Sequence, residues 1–271
     1  MAPFFIYHGS RCLRPEGRTP VLFNEHSPVR PVQAYAKDYR HGDHEPEHQH
    51  ACAQLIQALN GIVRVDTREG TWIIPPGRGV WVPAYTPHQL RMNGPVQLRT
   101  LFIDSLARAD LPADCCVVEI GDLLKALIVA AIDIPDDYHS GGRAERVMEL
   151  ILDELRVLPV LGLNLPGLAS PELQALAQEV HRLLYQPWSL SRAAAWLGVS
   201  ERTVSRQFQR ETGLTFGEWL RRKRLLEALE ALAAGHTVLD VALAVGYDSQ
   251  SAFSAMFRRR LGVSPTTYLG N

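Results

Sequence analysis

The hydrophobic period of this chain changes along its length. Up to about residue 105, short apolar and β-branched runs alternate with Gly, Pro and Asn: Ile62-Val63-Arg64-Val65, Thr71-Trp72-Ile73-Ile74, Gly79-Val80-Trp81-Val82 and the run Val96–Ile103. Regular short strands bounded by turn residues predict a sandwich or barrel. From Asp122 to about Leu158 the pattern turns helical, with a break at Pro135–Gly142. Val147, Leu150, Ile151 and Leu155 form one helical stripe, suited either to a twin in a dimer or to the chain's own barrel. Residues 157–171 (VLPVLGLNLPGLASP) read as a Pro/Gly-punctuated joint. Ser170-Pro171-Glu172 then opens a helix, with serine as N-cap and proline at the first helical position. The expected architecture is α+β in two domains: a β-barrel with following helices over 1–158, a linker over 159–170, and an all-α domain over 171–271.

The C-terminal region contains a duplication. Leu190, Ala194 and Gly198 recur as Val238, Ala242 and Gly246, and Phe208 and Gly213 recur as Phe257 and Gly262. Each unit carries helix-turn-helix logic. A small residue (Ala194, Ala242) admits the second helix closely, and a glycine (Gly198, Gly246) supplies the tight turn. Ser200 caps the second helix of unit one; Asp248 or Ser249 caps that of unit two. Val204 and Phe208, or Phe253 and Phe257, face the core at a spacing of four. Glu201, Arg202, Ser205, Arg206, Gln209 and Arg210 face outward in the first unit, and Gln250, Ser251, Ser254, Ala255 and Arg258 in the second. Between the units, Phe216 to Ala233 reads as one long helix ending near Gly235, a strut of roughly 25 Å at about 1.5 Å per residue.

Charge sharpens this picture. The net charge of −1 hides 12 Lys and Arg against 7 Asp and Glu from His181 onward, and 16 against 22 before it. A basic C-terminal third on an acidic remainder suits a polyanion-binding module. No run of apolar residues is long enough for a membrane span. The first eight residues lack the basic flank and apolar core of a secretory signal. Cys12, Cys52, Cys115 and Cys116 lack C-x-x-C spacing, which favours reduced thiols and a cytoplasmic location.

Residues 170–271 resemble the DNA-binding domain of AraC/XylS-family transcription regulators. The resemblance is carried by Leu197-Gly198-Val199-Ser200, Arg206-Gln207-Phe208, Arg224-Leu225, Val241-Ala242, Val245-Gly246-Tyr247 and Pro265-Thr266-Thr267-Tyr268. It implies that Arg202 and Arg206 face bases in one major groove, and Gln250 and Ser251 in the next. Ala255 departs from an arginine frequent in close relatives, which leaves the second unit mainly to grip backbone. The expected contacts to double-stranded DNA are Ser200, Arg202, Ser205, Arg206 and Gln209, with Gln250, Ser251, Ser254 and Arg258. Arginine and glutamine can pair bidentately with guanine and adenine, while serine hydroxyls and helix N-termini hold phosphates.

In the first third, the spacing Gly42-x5-His48-x-His50-x3-Gln54-x6-Gly61 is followed by Gly77-x5-Pro83-x4-His88. On a regular strand His48 and His50 share one face. Both segments resemble the paired signature of cupin barrels, which implies a cupin-like barrel with a divalent metal at His48, His50, Gln54 and His88. Gln54 stands where a cupin usually has glutamate, and Tyr85 where glycine is frequent. The donor set suits zinc, nickel or iron about equally. Cys52 is a spare ligand candidate. Trp72, Trp81 and Tyr85 are candidate walls for an organic effector if the histidines act without metal, and purely structural histidines are the third reading. The segment Trp72–Met92 resembles the sensors of AraC-type regulators, some of which control efflux of small toxic compounds.

The resulting expectation is a DNA-binding regulator, homodimeric, whose cupin domain senses a small molecule or metal ion, with RNA polymerase as a further partner. The alternative is a cupin metalloenzyme carrying a helical domain, for which no placed acid–base pair is visible.

Overall fold

The computed structural model describes residues 30–74, 77–156, 160–161 and 164–269. Cys12 and the opening segment lie outside the described residues, as do parts of the expected linker. The N-terminal part consists of β1 (Val32–Tyr39), β2 (His44–His48), β3 (Ala53–Ala58), β4 (Ile62–Thr67), β5 (Gly70–Ile74), β6 (Arg78–Val82), β7 (His88–Asn93), β8 (Val96–Ile103) and β9 (Cys116–Glu119). Helices α1 (Asp122–Ala131) and α2 (Arg143–Arg156) follow, then short strands β10 (Val160–Leu161) and β11 (Asn164–Pro166). The C-terminal part is helical: α3 (Pro171–Arg182), α4 (Leu190–Leu197), α5 (Glu201–Thr212), α6 (Phe216–Ala233), α7 (Val238–Ala244), α8 (Gln250–Leu261) and α9 (Pro265–Leu269).

The strands form two antiparallel sheets, ordered β1-β8-β3-β6-β9-β10 and β11-β5-β4-β7-β2. The expected barrel is thus built as a sandwich of two sheets. Its interior takes alternate residues of both, among them Ile56, Val63, Val65, Trp72, Ile74, Val80, Val82, Leu90, Met92 and Leu98. The opposite face of the six-stranded sheet is also apolar. Leu55, Trp81, Leu101 and Val118 there pack against Leu124, Ile128, Met148, Ile151 and Leu155 of α1 and α2. The stripe on α2 therefore packs mainly on its own domain, leaving Leu150 exposed.

The Pro/Gly-rich stretch after α2 is not a free joint. β10 pairs with β9 on one sheet, and β11 with β5 on the other. Gly167 N–H continues the second attachment with a 2.8 Å bond to the Glu69 carbonyl. Isolated two- and three-residue strands are unstable, so both depend on the sheet edges they cover.

The duplication is real in three dimensions. In the first unit α4 ends at Gly198 (φ 68°), and Ser200 caps α5 by accepting from Thr203 N–H. In the second, Gly246 has φ 80°, and Ser249 rather than Asp248 caps α8 by accepting from Ala252 N–H. The inserted residue lies in this second turn, where Tyr247 stacks edge-on against Phe253 at 5.7 Å. Helix α6 spans the predicted Phe216–Ala233 and buries Phe216, Trp219, Leu220, Leu225, Leu226, Ala228, Leu229 and Leu232. A helix buried on several faces has neighbours on several sides. Here they are both helix-turn-helix units and the outer face of the smaller sheet, whose Ile62 and Ile73 belong to the same core.

The two turn glycines predict unequal tolerance. A Cβ at Gly198 meets nothing within 4 Å, whereas one at Gly246 would lie 2.7 Å from the Leu184 carbonyl and 2.6 Å from Arg224 Nη2. Gly198→Ala should cost about 1–2 kcal/mol, the left-handed backbone penalty alone. Gly246→Ala should add an overlap term of about 1–3 kcal/mol. Urea denaturation of both variants checks the order; equal losses would contradict it.

Candidate functional site

The outward faces of α5 and α8 form the candidate nucleic-acid interface. Val204 and Phe208 anchor α5, and Phe253 and Phe257 anchor α8, all four fully buried. With those positions committed to the core, Arg202, Arg206, Gln250, Ser251 and Arg258 are exposed. Arg202, Arg206 and Arg258 hold no ion-pair partner among the described residues. Ser205 and Ser254 are half-buried on the same faces. Two outward residues are engaged elsewhere. Gln209 Nε2 donates to the Gly213 carbonyl at 3.1 Å, folding back on its own helix end, and Arg210 pairs with Glu211 at 3.3 Å. Ser200 Oγ is the α5 cap and also lies 2.9 Å from Thr203 Oγ1.

Behind this face, Arg224 of α6 supports the second turn. Its Nη2 donates to the Gln186 carbonyl at 3.0 Å, and its guanidinium stands 5.8 Å from the Tyr247 ring centroid. Burial lowers the pKa of this arginine, opposed by Tyr247 and Asp248. Neutral carbonyls thus hold a cation in place of an ion pair.

The second candidate site lies inside the sandwich. His48 ends β2 opposite His88 at the start of β7, next to an irregularity in register between Glu45 and His48. His50 is past the strand, in the connection to β3. His50 therefore joins the group from outside the strand pairing, two residues beyond His48. The ring centroids are 4.9 Å (His48–His50), 4.4 Å (His48–His88) and 5.4 Å (His50–His88) apart. One nitrogen from each ring lies within 4.8 Å of the others. His50 and His88 are buried and His48 is half-buried.

Backbone carbonyls orient two of the rings. His48 Nδ1 is 2.7 Å from Pro46 O, and His88 Nδ1 is 2.8 Å from Thr86 O. A carbonyl accepts only, so each Nδ1 carries a proton, and in a neutral ring Nε2 then presents a lone pair. His88 Nε2 lies 3.0 Å from Gln54 Oε1, while Gln54 Nε2 donates to Thr100 Oγ1 at 3.1 Å and Thr100 donates to Leu55 O at 2.9 Å. With neutral His88, two acceptors then face each other. Either a cation meets both or the amide turns over. Burial pushes His88 down to about 4, helped by neighbouring His48 and opposed by the bond to Thr86, so the ring is neutral at pH 7. Thr100 was missed from the sequence, although its alternation with Leu98 and Phe102 places it on the interior face of β8.

The other candidates separate. Cys52 packs with Phe102 and Tyr35, and burial raises its thiol to about 11. It stands outside the histidine group. Trp72 is an interior residue, but Trp81 points to the opposite face, where its Nε1 donates to Pro112 O at 2.8 Å. Trp72 and Trp81 therefore do not line one pocket. Tyr85 is 66% exposed, so it borders the site without walling it. It is the one non-glycine with positive φ (59°) among the described residues, and its N–H donates to the His50 carbonyl at 2.7 Å. The backbone keeps the left-handed shape that favours glycine.

A helix-turn-helix domain model matches residues 193–271, and an AraC-like ligand binding domain model matches residues 31–130. The HTH-type transcriptional regulator NimR of Escherichia coli (strain K12) is 32% identical over 224 residues, covering 83% of this chain and 82% of NimR. The chain belongs to the AraC family of transcription regulators. Regulatory protein SoxS of Salmonella typhimurium is 33% identical over 97 residues, which are 35% of this chain and 91% of SoxS. The DNA-binding domain of AdpA, solved in complex with a target DNA, is 31% identical and covers 37% of this chain and 92% of that one, with a TM-score of 0.35. As an AraC-family protein the chain is a DNA-binding transcription regulator with a ligand-binding domain, and not an enzyme. Among the described residues no helix is long and apolar enough to cross a membrane.

The recognition faces of this AraC-family regulator predict two kinds of loss. Arg206→Ala should cost about 1–3 kcal/mol on a selected operator and relax the sequence at one position. Arg258→Gln should weaken binding alike on all sequences and reduce the slope of log affinity against log salt by about 1. Fluorescence anisotropy at several salt concentrations separates the two; a uniform loss for Arg206→Ala would remove it from base reading.

Proposed function

We propose that this AraC-family regulator senses a divalent transition metal, zinc, nickel or iron, held by His48, His50 and His88 with Gln54 as an oxygen donor. The observation that carries this reading is the convergence of three imidazole nitrogens within 4.8 Å in a site that is largely buried. His48 and His88, whose Nδ1 protons go to backbone carbonyls, are oriented as metal-ligating histidines usually are. A cation would also relieve the opposition of His88 Nε2 and Gln54 Oε1. When bound, the metal would supply charge and coordination that an effector could complete.

A specific observation favours an organic effector as the second reading. Trp72 Nε1 is buried inside the sandwich with no hydrogen-bond partner among the described residues. A buried donor of this kind costs stability unless something accepts from it, and a small polar molecule could. We place the regulator in the cytoplasm, with RNA polymerase as a further partner. An efflux gene is the expected target, on the resemblance of the Trp72–Met92 segment. We also propose a homodimer, for which Leu123 and Val129 of α1 and Leu150 of α2 are exposed apolar side chains available to a second copy.

Untagged wild-type protein should carry about one metal per chain by elemental analysis, and His48→Ala/His50→Ala should carry none. Absence of metal from the wild type after reconstitution with zinc, nickel and iron(II) would leave the Trp72 site as the effector locus. Sedimentation equilibrium should give twice the chain mass of 30.2 kDa. A monomer at micromolar concentration would remove the dimer.

A further inference from the structure

The strut α6 is gripped by the sensor at two points. Toward its C-terminal end, Glu230 Oε1 lies 3.4 Å from Arg64 Nη1 on the outer face of β4. Toward its N-terminal end, Arg222 Nη1 donates to both oxygens of Asn164 on β11, at 3.1 Å to the backbone carbonyl and 2.9 Å to the side chain. This second grip continues past α6. Arg222 Nε is 3.4 Å from Glu218 Oε1, one turn earlier, and Glu218 Oε2 accepts from Arg260 Nη2 at 2.7 Å. Arg260 stands in the last turn of α8. A single carboxylate therefore joins the sensor-held arginine of the strut to the second recognition helix.

Glu218 is suited to this role. Partial burial pushes its carboxyl up, but Arg260 and Arg221 outweigh burial and hold it below the ordinary carboxylate value. It is an anion at neutral pH, facing arginines on two helices. Helix α5 is fixed separately: Glu211 accepts from the Ala169 and Ser170 N–H groups at 2.9 and 3.1 Å. The two recognition helices are thus tied to the rest of the chain through different carboxylates.

We propose that Asn164, Arg222, Glu218 and Arg260 form a relay through which the sensor domain positions the second recognition helix, so that the sensor sets the hold on one half of the operator. The relay rests on membership of the family and on these contacts, and is independent of whether a metal occupies the histidine site. Glu218 and Arg222 are positioning residues. Their effect is on the pose of α8, because exposed ion pairs contribute little by themselves.

The test uses the full chain and an operator selected from random-sequence duplexes, footprinted with hydroxyl radicals. Gln250→Ala identifies the half held by α8. Glu218→Gln and Arg222→Lys should each weaken binding about fivefold to tenfold, the lower end of coupling between sites. Protection should thin over the α8 half alone, and Arg260→Gln should add nothing further to either. Arg222 holds Glu218 through Nε and both Asn164 oxygens through Nη1, and lysine at 222 has one nitrogen in place of these two, so Arg222→Lys keeps the charge while uncoupling Glu218 from Asn164. Equal weakening of both halves, additive losses with Arg260→Gln, or unchanged or tighter binding would overturn the relay. Should Glu218→Gln fail to fold by thermal unfolding, Arg222→Lys and Asn164→Ala decide the matter by the same footprint.

Discussion

Burial of α6 is the constraint on which the rest of the structure depends. Its side chains Trp219, Leu220, Leu226 and Leu229 serve a core shared by both helix-turn-helix units, and that core continues onto Ile62 and Ile73 of the sensor sheet. Apolar contact at this scale is non-directional and strong, so it joins the pieces without fixing their precise pose. The pose comes from directional groups at the margin of the contact: Arg64 on Glu230, and Arg222 on Asn164. The recognition helices can therefore turn outward because their inward positions are all occupied around one strut.

The sensor uses a similar division. Apolar alternation closes the two sheets, and His50, Gln54, His88 and Thr100, four of the buried polar residues, lie together with half-buried His48. A buried polar group must find a partner or cost stability. Backbone carbonyls satisfy one side of His48 and His88, and one nitrogen from each of the three rings lies within 4.8 Å of the others. The same geometry makes the site chemically distinct from the apolar remainder of the sandwich.

Between the domains, the chain itself is part of the coupling. A Pro/Gly-rich segment that could have been slack instead lends β10 to one sheet and β11 to the other. Asn164, in β11, pairs with Trp72 along the smaller sheet and bonds Arg222 on the strut. Sensor interior, linker and DNA-binding domain thus meet within a few residues.

By itself, the sequence determined whatever depends on local period and backbone type. The strands at Ile62, Thr71, Gly79 and Val96, the extent of α6, the duplicated turns at Gly198 and Gly246, and the outward positions of Arg202 and Arg206 are of this kind. So is the pairing of His48 with His88 as candidates, since the spacing alone marks them. Tertiary structure decided everything that depends on a distant partner. Alternation puts Val80 and Trp81 on opposite faces of a strand, but both faces are buried, so only packing shows that Trp81 meets α1 and α2. Gln209 reads as an outward amide until its own helix end takes it. Asn164 and Arg222 are 58 positions apart, and Glu218 and Arg260 are 42 apart. Periodicity states which side of an element is covered; it carries no information on what covers it, because hydrophobic burial has no direction and ion pairs have no period.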